Sequence, residues 1–241
     1  MTDIRSILGS GMFFLVLMVG VVFFTFWLMV VWPFSRLAYR REVARKWAGF
    51  NRWMLRITCG LSDRVTGLER LPPPPYLLFV KHQSAWETLT LHALFPPFVL
   101  VLKKSLMFIP FFGWSLRATE QIAIDRDQGV RAMHLLEERG VEEFRRGVSV
   151  VVFPEGTRTA PGAVGKYNGG GIALALRGGV PIVPVAHNAG RFWGRRAFLK
   201  KPGVIDVRIG YPIQTAGCDR KDRKRLLEMA RDQVETMMES L

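Results

Sequence analysis

Between Arg5 and Arg36 the chain carries no charged residue, and the centre of this run reads MFFLVLMVGVVFFTFWLMVVWPF. As a helix, such a run is long enough to cross a hydrocarbon core of about 30 Å. Trp27 and Trp32 fall near its C-terminal end, and Trp is favoured at the membrane–water boundary. A cleaved signal peptide has an apolar region of only about 7–15 residues and a small-residue cleavage site; neither condition holds here. The expectation is an N-terminal membrane-anchoring helical segment. Arg36, Arg40, Arg41, Arg45 and Lys46 follow the run, against Arg5 before it. If the run spans, the positive-inside bias places everything after it in the cytoplasm. A run buried in one leaflet as half of a hairpin fits the same residues. Val43, Trp47, Phe50, Met54 and Ile57 then recur at helical spacing. That stripe suits a helix lying on an anionic membrane surface and equally a helix packed on the next domain.

With 241 residues, about half of them apolar, the chain has room for one sizeable domain plus an appendage. The expected division is 1–60, anchor and basic amphipathic helix, and 61–241, a globular domain, with the stiff Pro72–Pro75 stretch as a hinge. Lys and Arg outnumber Asp and Glu by 34 to 20, a net +14, which attracts anionic partners. Nucleic acid, anionic lipid head groups and phosphorylated substrates all fit the charge. The aromatics, however, lie in apolar runs and not among the basic residues, which argues against nucleic acid. Cys59 and Cys218 form no C-x-x-C pair, and the other histidines, His92, His134 and His187, have no metal-ligand spacing, so no metal is expected. The basic run Arg220 to Arg225 reads as a solvated face.

Beyond the prolines, Tyr76 to Val80, Val99 to Leu102, Gln121 to Ile124, Val148 to Phe153, Val180 to Ala186 and Val204 to Ile209 read as strands. Ser84 to Leu94, Gly129 to Arg146, Gly169 to Arg177 and Asp219 to Ser240 read as helices. Alternation of this kind predicts an α/β fold, a mixed sheet flanked by helices.

His82 follows directly from a predicted strand, with Glu87 five residues later. A histidine suits proton abstraction near neutrality, and a carboxylate can hold one ring nitrogen so that the other faces a substrate. The pairing works only if His82 precedes the helix and Glu87 lies in its first turn. Ser84-x-x-Glu87 is also a capping box, which by itself accounts for Glu87. A second segment, Phe153-Pro154-Glu155-Gly156-Thr157-Arg158, ends another strand. Its glycine permits close backbone approach, Arg158 offers a fork to phosphate and Thr157 a hydroxyl donor. Ile124-Asp125-Arg126 places a further Arg after an apolar run, and Lys103, Lys104 and Lys166 add cations. Ligands of open α/β sheets gather at strand C-terminal ends, where these residues recur.

In this order the segments resemble the four blocks of the glycerolipid acyltransferases, and most those of the lysophosphatidic acid acyltransferases. Lys81 to Glu87 matches N-H-x-x-x-x-D, Ile124 to Arg126 matches I-D-R, Phe153 to Arg158 matches F-P-E-G-T-R, and Val180 to Val185 matches V-P-I-V-P-V. Lys103 to Gly113 resembles the segment before the second block, and the likeness runs from about residue 60 to about 215. Lys81 stands for the usual Asn, Glu87 for Asp, and Glu120 where Gly is frequent. The resemblance implies an O-acyltransferase of phospholipid biosynthesis that moves a fatty acyl group onto the sn-2 hydroxyl of lysophosphatidic acid, giving phosphatidic acid. His82, oriented by Glu87, would be the base. Arg126, Glu155, Gly156, Thr157 and Arg158 would form the phosphate-binding region, with Lys104 assisting and Glu155 orienting a neighbouring cation. The fourth block would shape the acyl pocket. No cofactor is implied; acyl-CoA or acyl carrier protein would be the donor, and membrane lipids the other partner. The expected location is a bacterial inner membrane with the catalytic domain on the cytoplasmic face. The alternatives are acylation of another lyso-lipid, such as a lyso-aminolipid, and a non-catalytic membrane adaptor of the same fold.

Overall fold

The computed structural model of the chain describes residues 4–241. Two long helices come first, α1 (Ile4–Val31) and α2 (Leu37–Cys59), separated by a turn at Trp32–Phe34. They run antiparallel: Gly9 sits so close to the Thr58 carbonyl that a Cβ there would be 2.1 Å away, and Phe24 stacks on Trp47 at 4.9 Å. One face of α1 docks on the rest of the protein through Phe13, which meets Trp193 edge-on, and through Thr25, whose hydroxyl donates to the Phe111 carbonyl. The other face leaves Leu8, Phe23 and Phe26 about as exposed as in an extended chain, each near 70%. The α2 stripe divides. Trp47 and Met54 turn toward the protein, whereas Phe50 and Ile57, joined by Trp53, stay exposed. Continuous apolar surface of this kind marks an interaction face rather than a wetted one, and α1 is long and apolar enough to cross a membrane.

The domain that follows is a seven-stranded sheet built from β1 (Leu61–Thr66), β2 (Leu77–Val80), β3 (Phe98–Lys103), β4 (Ile122–Ile124), β5 (Ser149–Val152), β6 (Ile182–His187) and β7 (Gly203–Ile209). The order is β1-β7-β6-β2-β5-β3-β4, parallel throughout except between β6 and β7. The fully buried central strands are β-branched and apolar on both faces, as a doubly covered sheet requires. Leu78, Val80, Val151 and Val183 face α1, α2, α3 (Trp86–Thr90) and α4 (Phe112–Ala118); Leu77, Phe79, Val150 and Ile182 face α5 (Val130–Arg145), α6 (Gly170–Gly178) and α8 (Arg223–Glu239), while α7 (Ala189–Phe192) lies between β6 and β7.

Two features differ from expectation. Strand β1 precedes Pro72–Pro75 and pairs with β7, so the proline stretch lies inside the sheet domain, not between it and the anchor. Its Asp63 and Arg64 interrupt the apolar pattern that marks a strand; each finds an ion-pair partner, Arg52 and Asp206. The helix after His82 is also shorter than the predicted Ser84 to Leu94, closing in a 3₁₀ turn at Leu91–Ala93. Glu120, where glycine is frequent in the resembling family, has φ +54°, a conformation glycine takes freely; its carboxylate lies 3.5 Å from Arg40 and 3.7 Å from Arg146.

Arg41 of α2 reaches into the domain and donates to both carboxylate oxygens of Glu143 on α5, at 2.7 and 3.0 Å, with both side chains buried. Removing one partner of a buried pair leaves the other charge uncompensated, at a cost of about 3 kcal/mol or more. Glu143→Ala should therefore lower the unfolding midpoint in detergent by several degrees; an unchanged midpoint would show that the helical pair is held by apolar contact alone.

Candidate active site

Because β2 through β6 run parallel, their C-terminal ends meet at one edge of the sheet. The chain leaves β2 extended, so consecutive side chains alternate in direction. Lys81 points to the α8 side and meets Glu235; His82 points to the α3 side and meets Glu87. The Glu87 carboxylate is fully buried in the first turn of α3, and its Oε1 accepts from the Gln83 and Ser84 amides, each at 2.8 Å, and faces His82 Nδ1 at 2.8 Å. The cap and the histidine contact are thus one carboxylate performing both tasks. An oxygen that takes two N–H groups calls for a proton on Nδ1, which leaves Nε2 as a bare acceptor. Burial pushes the Glu87 carboxyl up, but the imidazoles of His187 and His82 and the Ser84 amide outweigh it and hold the group below the usual carboxylate range. The His82 ring stacks on Phe153 with centroids 4.2 Å apart and keeps a partial opening to solvent, 15%.

The second wall of the site is the turn after β5. The His82 carbonyl accepts from both the amide and the hydroxyl of Thr159, at 2.8 and 3.1 Å, so this turn is bonded to the histidine's own backbone. Gly156 has φ +70°, and a Cβ there would lie 2.9 Å from Arg126 Nη1; the Arg126 guanidinium donates to the Gly156 carbonyl. The structure therefore brings Arg126 and Gly156 together, with Thr157 exposed beside them. Arg158 is half-buried and Lys104 exposed at the end of β3; among the described residues neither makes a hydrogen bond or an ion pair with the protein. Glu155 turns inward instead, to Lys81 at 3.2 Å, which is the neighbouring cation its carboxylate was expected to orient. A cavity of about 730 Å³ opens under the turn, with Arg126, Gly156, Thr157 and Arg223 at polar positions and Val101, Met133 and Leu136 among its apolar walls.

Val180 to Val185, expected to shape an acyl pocket, do not line this cavity. These residues enter β6, at the middle of the sheet between β2 and β7, and pack into the two cores; the cavity is walled by β3, β5, α5 and the start of α6. His187, at the end of β6, gains a definite place. It is fully buried, its Nδ1 accepts from the Ala189 amide at 3.3 Å, and its Nε2 donates to the Lys81 carbonyl at 2.8 Å and lies 3.9 Å from Glu87 Oε2. Only the neutral ring can do both. Burial holds its pKa below the ordinary 6.5 against the pull of Glu87.

That shift makes stability depend on pH. The unfolded imidazole binds a proton below about 6.5 and the folded one resists it, so the contribution is complete above pH 6.5 and is lost as pH falls toward the folded value. His92, buried and pushed down to about 4, acts in the same window. The unfolding midpoint should drop between pH 6.5 and 5, and His187→Gln should flatten part of that slope; an identical slope in the variant would mean that His187 is not held neutral.

Residues 63–188 match the acyltransferase family model. The chain is 42% identical over 193 residues to the 1-acyl-sn-glycerol-3-phosphate acyltransferase of Pseudomonas aeruginosa, covering 80% of this chain and 74% of that one. It is 32% identical over 192 residues to the enzyme of the same name from Saccharomyces cerevisiae, covering 77% and 63%. The crystal structure of the 1-acyl-sn-glycerophosphate acyltransferase from Thermotoga maritima superposes with a TM-score of 0.80 over 100% of this chain and 99% of that one, at 22% identity, a likeness of fold. With three of the four ordered motifs meeting at one sheet edge and the fourth entering β6, this chain belongs to the acyltransferase family, and within it resembles the 1-acyl-sn-glycerol-3-phosphate acyltransferases.

Proposed function

We propose that this O-acyltransferase moves a fatty acyl group from a thioester of coenzyme A or acyl carrier protein to the sn-2 hydroxyl of lysophosphatidic acid, giving phosphatidic acid. The observation that carries the reading is the His82–Glu87 contact at 2.8 Å, which leaves Nε2 free beside a turn bearing Arg158 and contacted by Arg126. Nε2 takes the proton of the acceptor hydroxyl as its oxygen attacks the thioester carbonyl. The tetrahedral intermediate expels the thiolate, which takes the proton back from the imidazolium, and Glu87 stabilises the imidazolium in between. Arg126 and Arg158 bind the acceptor's phosphate monoester, with the Thr157 hydroxyl as a further donor and Lys104 adding positive field. Glu155 repels phosphate and serves only through Lys81. The apolar wall of the cavity at Val101, Met133 and Leu136 suits a fatty chain. The names of the Pseudomonas and yeast relatives support the choice of acceptor and the place in phospholipid biosynthesis.

The same reading places the enzyme on the cytoplasmic face of a bacterial inner membrane, as the cations after α1 favour. Because α1 touches the α/β domain near both Ser10 and Thr25, we take the helical pair to be embedded from that face, alongside the domain.

An Arg–phosphate contact is often bidentate, and Lys cannot reproduce it. Arg158→Lys should already impair the enzyme and Arg158→Ala should do so further. The measurement compares an acceptor bearing a phosphate monoester with one lacking it. Wild type should prefer the first strongly, and Arg158→Ala should erase most of that preference. Equal slowing of both acceptors would make Arg158 structural, and a wild-type preference for the acceptor without phosphate would remove the lysophosphatidic acid assignment.

A further inference from the structure

Lys81 lies in the position where the resembling family usually carries Asn, yet it is buried, with its side chain 1% exposed. Its ammonium donates to Glu235 Oε1 at 2.8 Å and to the Ala163 carbonyl at 3.4 Å, and it lies within ion-pair range of Glu155 Oε1, at 3.2 Å. Glu235 comes from α8, far along the chain and outside the residues matched by the family model. It also accepts the Tyr167 hydroxyl at 2.5 Å. Two carboxylates thus face one ammonium, a formal net charge of −1. Glu235 keeps some exposure, but Lys81 and Glu155 are buried, burial pushes the Glu155 carboxyl up, and a buried set of this kind tolerates the loss of its single cation poorly.

The cluster sits between the two halves of the site. The next residue along is His82, and the Lys81 carbonyl receives His187 Nε2. Glu155 opens the turn that presents Gly156, Thr157 and Arg158, and Ala163 lies just beyond it. Together with the Thr159 bonds to the His82 carbonyl and the stacking of His82 on Phe153, the contacts of the Lys81 ammonium with Glu155 and Ala163 tie that turn to the strand end bearing the histidine.

We propose that Lys81 and Glu235 are a coupled pair of positioning residues: Glu235, steadied by the Tyr167 hydroxyl, fixes the Lys81 ammonium, which holds the Glu155 turn at the spacing from His82 at which Arg158 meets the acceptor's phosphate. Lys81 puts a positive charge where the family usually carries a neutral Asn, and Glu235 supplies a negative charge against it. This proposal rests on the reading that Arg158 binds that phosphate. His82 keeps its contact with Glu87 on the opposite face of the strand, so loosening the pair acts on acceptor recognition more than on the proton transfer.

The test uses the full chain in detergent and the variants Lys81→Asn, Glu235→Gln and the two combined, with KM and kcat measured for acceptors with and without a phosphate monoester. Lys81→Asn leaves two facing carboxylates, a net −2, and should raise KM for the phosphate-bearing acceptor by about tenfold or more while changing kcat/KM for the phosphate-free one by less than about threefold. Glu235→Gln leaves a neutral Lys81–Glu155 pair and should have the smaller effect. The double variant removes the repulsion between the two carboxylates but does not restore the missing ammonium, so it should recover at least about threefold of the KM lost in Lys81→Asn without reaching wild type. Should Lys81→Asn alone not yield folded protein, recovery of folded, active double variant is the expected result. A double variant as impaired as Lys81→Asn, or equal loss with both acceptors, overturns the coupling. A wild type indifferent to phosphate sinks the acceptor reading and this proposal with it, whereas a phosphate-selective wild type without rescue sinks the pair alone.

Discussion

A carboxylate with no access to water must have its charge met by polar groups of the protein. Glu87 is that carboxylate, and much of the local structure follows from it. Two consecutive amides, Gln83 and Ser84, must point at one oxygen, which sets the turn between β2 and α3 and puts Glu87 in the helix's first turn. The same oxygen orients His82, and the other approaches the neutral His187. His187 in turn donates to the Lys81 carbonyl, so β6 is bonded to the strand end that bears the histidine. Glu87, one methylene longer than the usual Asp, caps the turn and meets Nδ1 with the same oxygen.

The parallel sheet turns that local arrangement into a site. Arg126, Glu155 and Lys104 come from segments scattered along the chain, and each follows a strand whose C-terminal end lies at the same edge. The segment after β3 has a second property. It passes from Lys103 and Lys104 into Phe108, Ile109, Phe111 and Trp114, all exposed, and Phe111 accepts the Thr25 hydroxyl of α1. The apolar face that meets lipid therefore continues up to the edge that carries the cations. An amphiphilic acceptor with an anionic head and an acyl tail can reach such an edge from the bilayer with its tail still in apolar surroundings.

Much of this was legible in the residues themselves. Val148 to Phe153 and Val180 to Ala186 could hardly be anything but buried strands, and the His82/Glu87 spacing predicted its own contact provided the helix began between them. Strand β1 was not legible, because Asp63 and Arg64 break the apolar pattern and are neutralised only by Arg52 and Asp206, which no local reading supplies. Lys81 was visible only as a departure from a motif. Its burial depends on Glu235, separated from it by most of the domain and brought near by the packing of α8 on the sheet. The fourth block carried a correct strand but did not say where it would lie relative to the cavity, since a continuous apolar run reports burial and not which cavity, if any, it borders. The α2 stripe was ambiguous for a physical reason: its residues divide between two surfaces, Trp47 packed on Phe24 and Phe50 and Ile57 left exposed.

If Glu87 acts on the reaction only by orienting His82 and stabilising its imidazolium, the two residues form one unit, and their losses cannot be independent. The direct test is a double-mutant cycle on turnover with a labelled acyl donor, using His82→Ala, Glu87→Ala and the combination, each checked for folding. His82→Ala should cost about 100-fold or more, the scale of a lost general base. The double variant should be no slower than His82→Ala alone by more than a few-fold. Losses that multiply, or a folded His82→Ala protein with near-normal turnover, would contradict the assignment of His82 as the base held by Glu87.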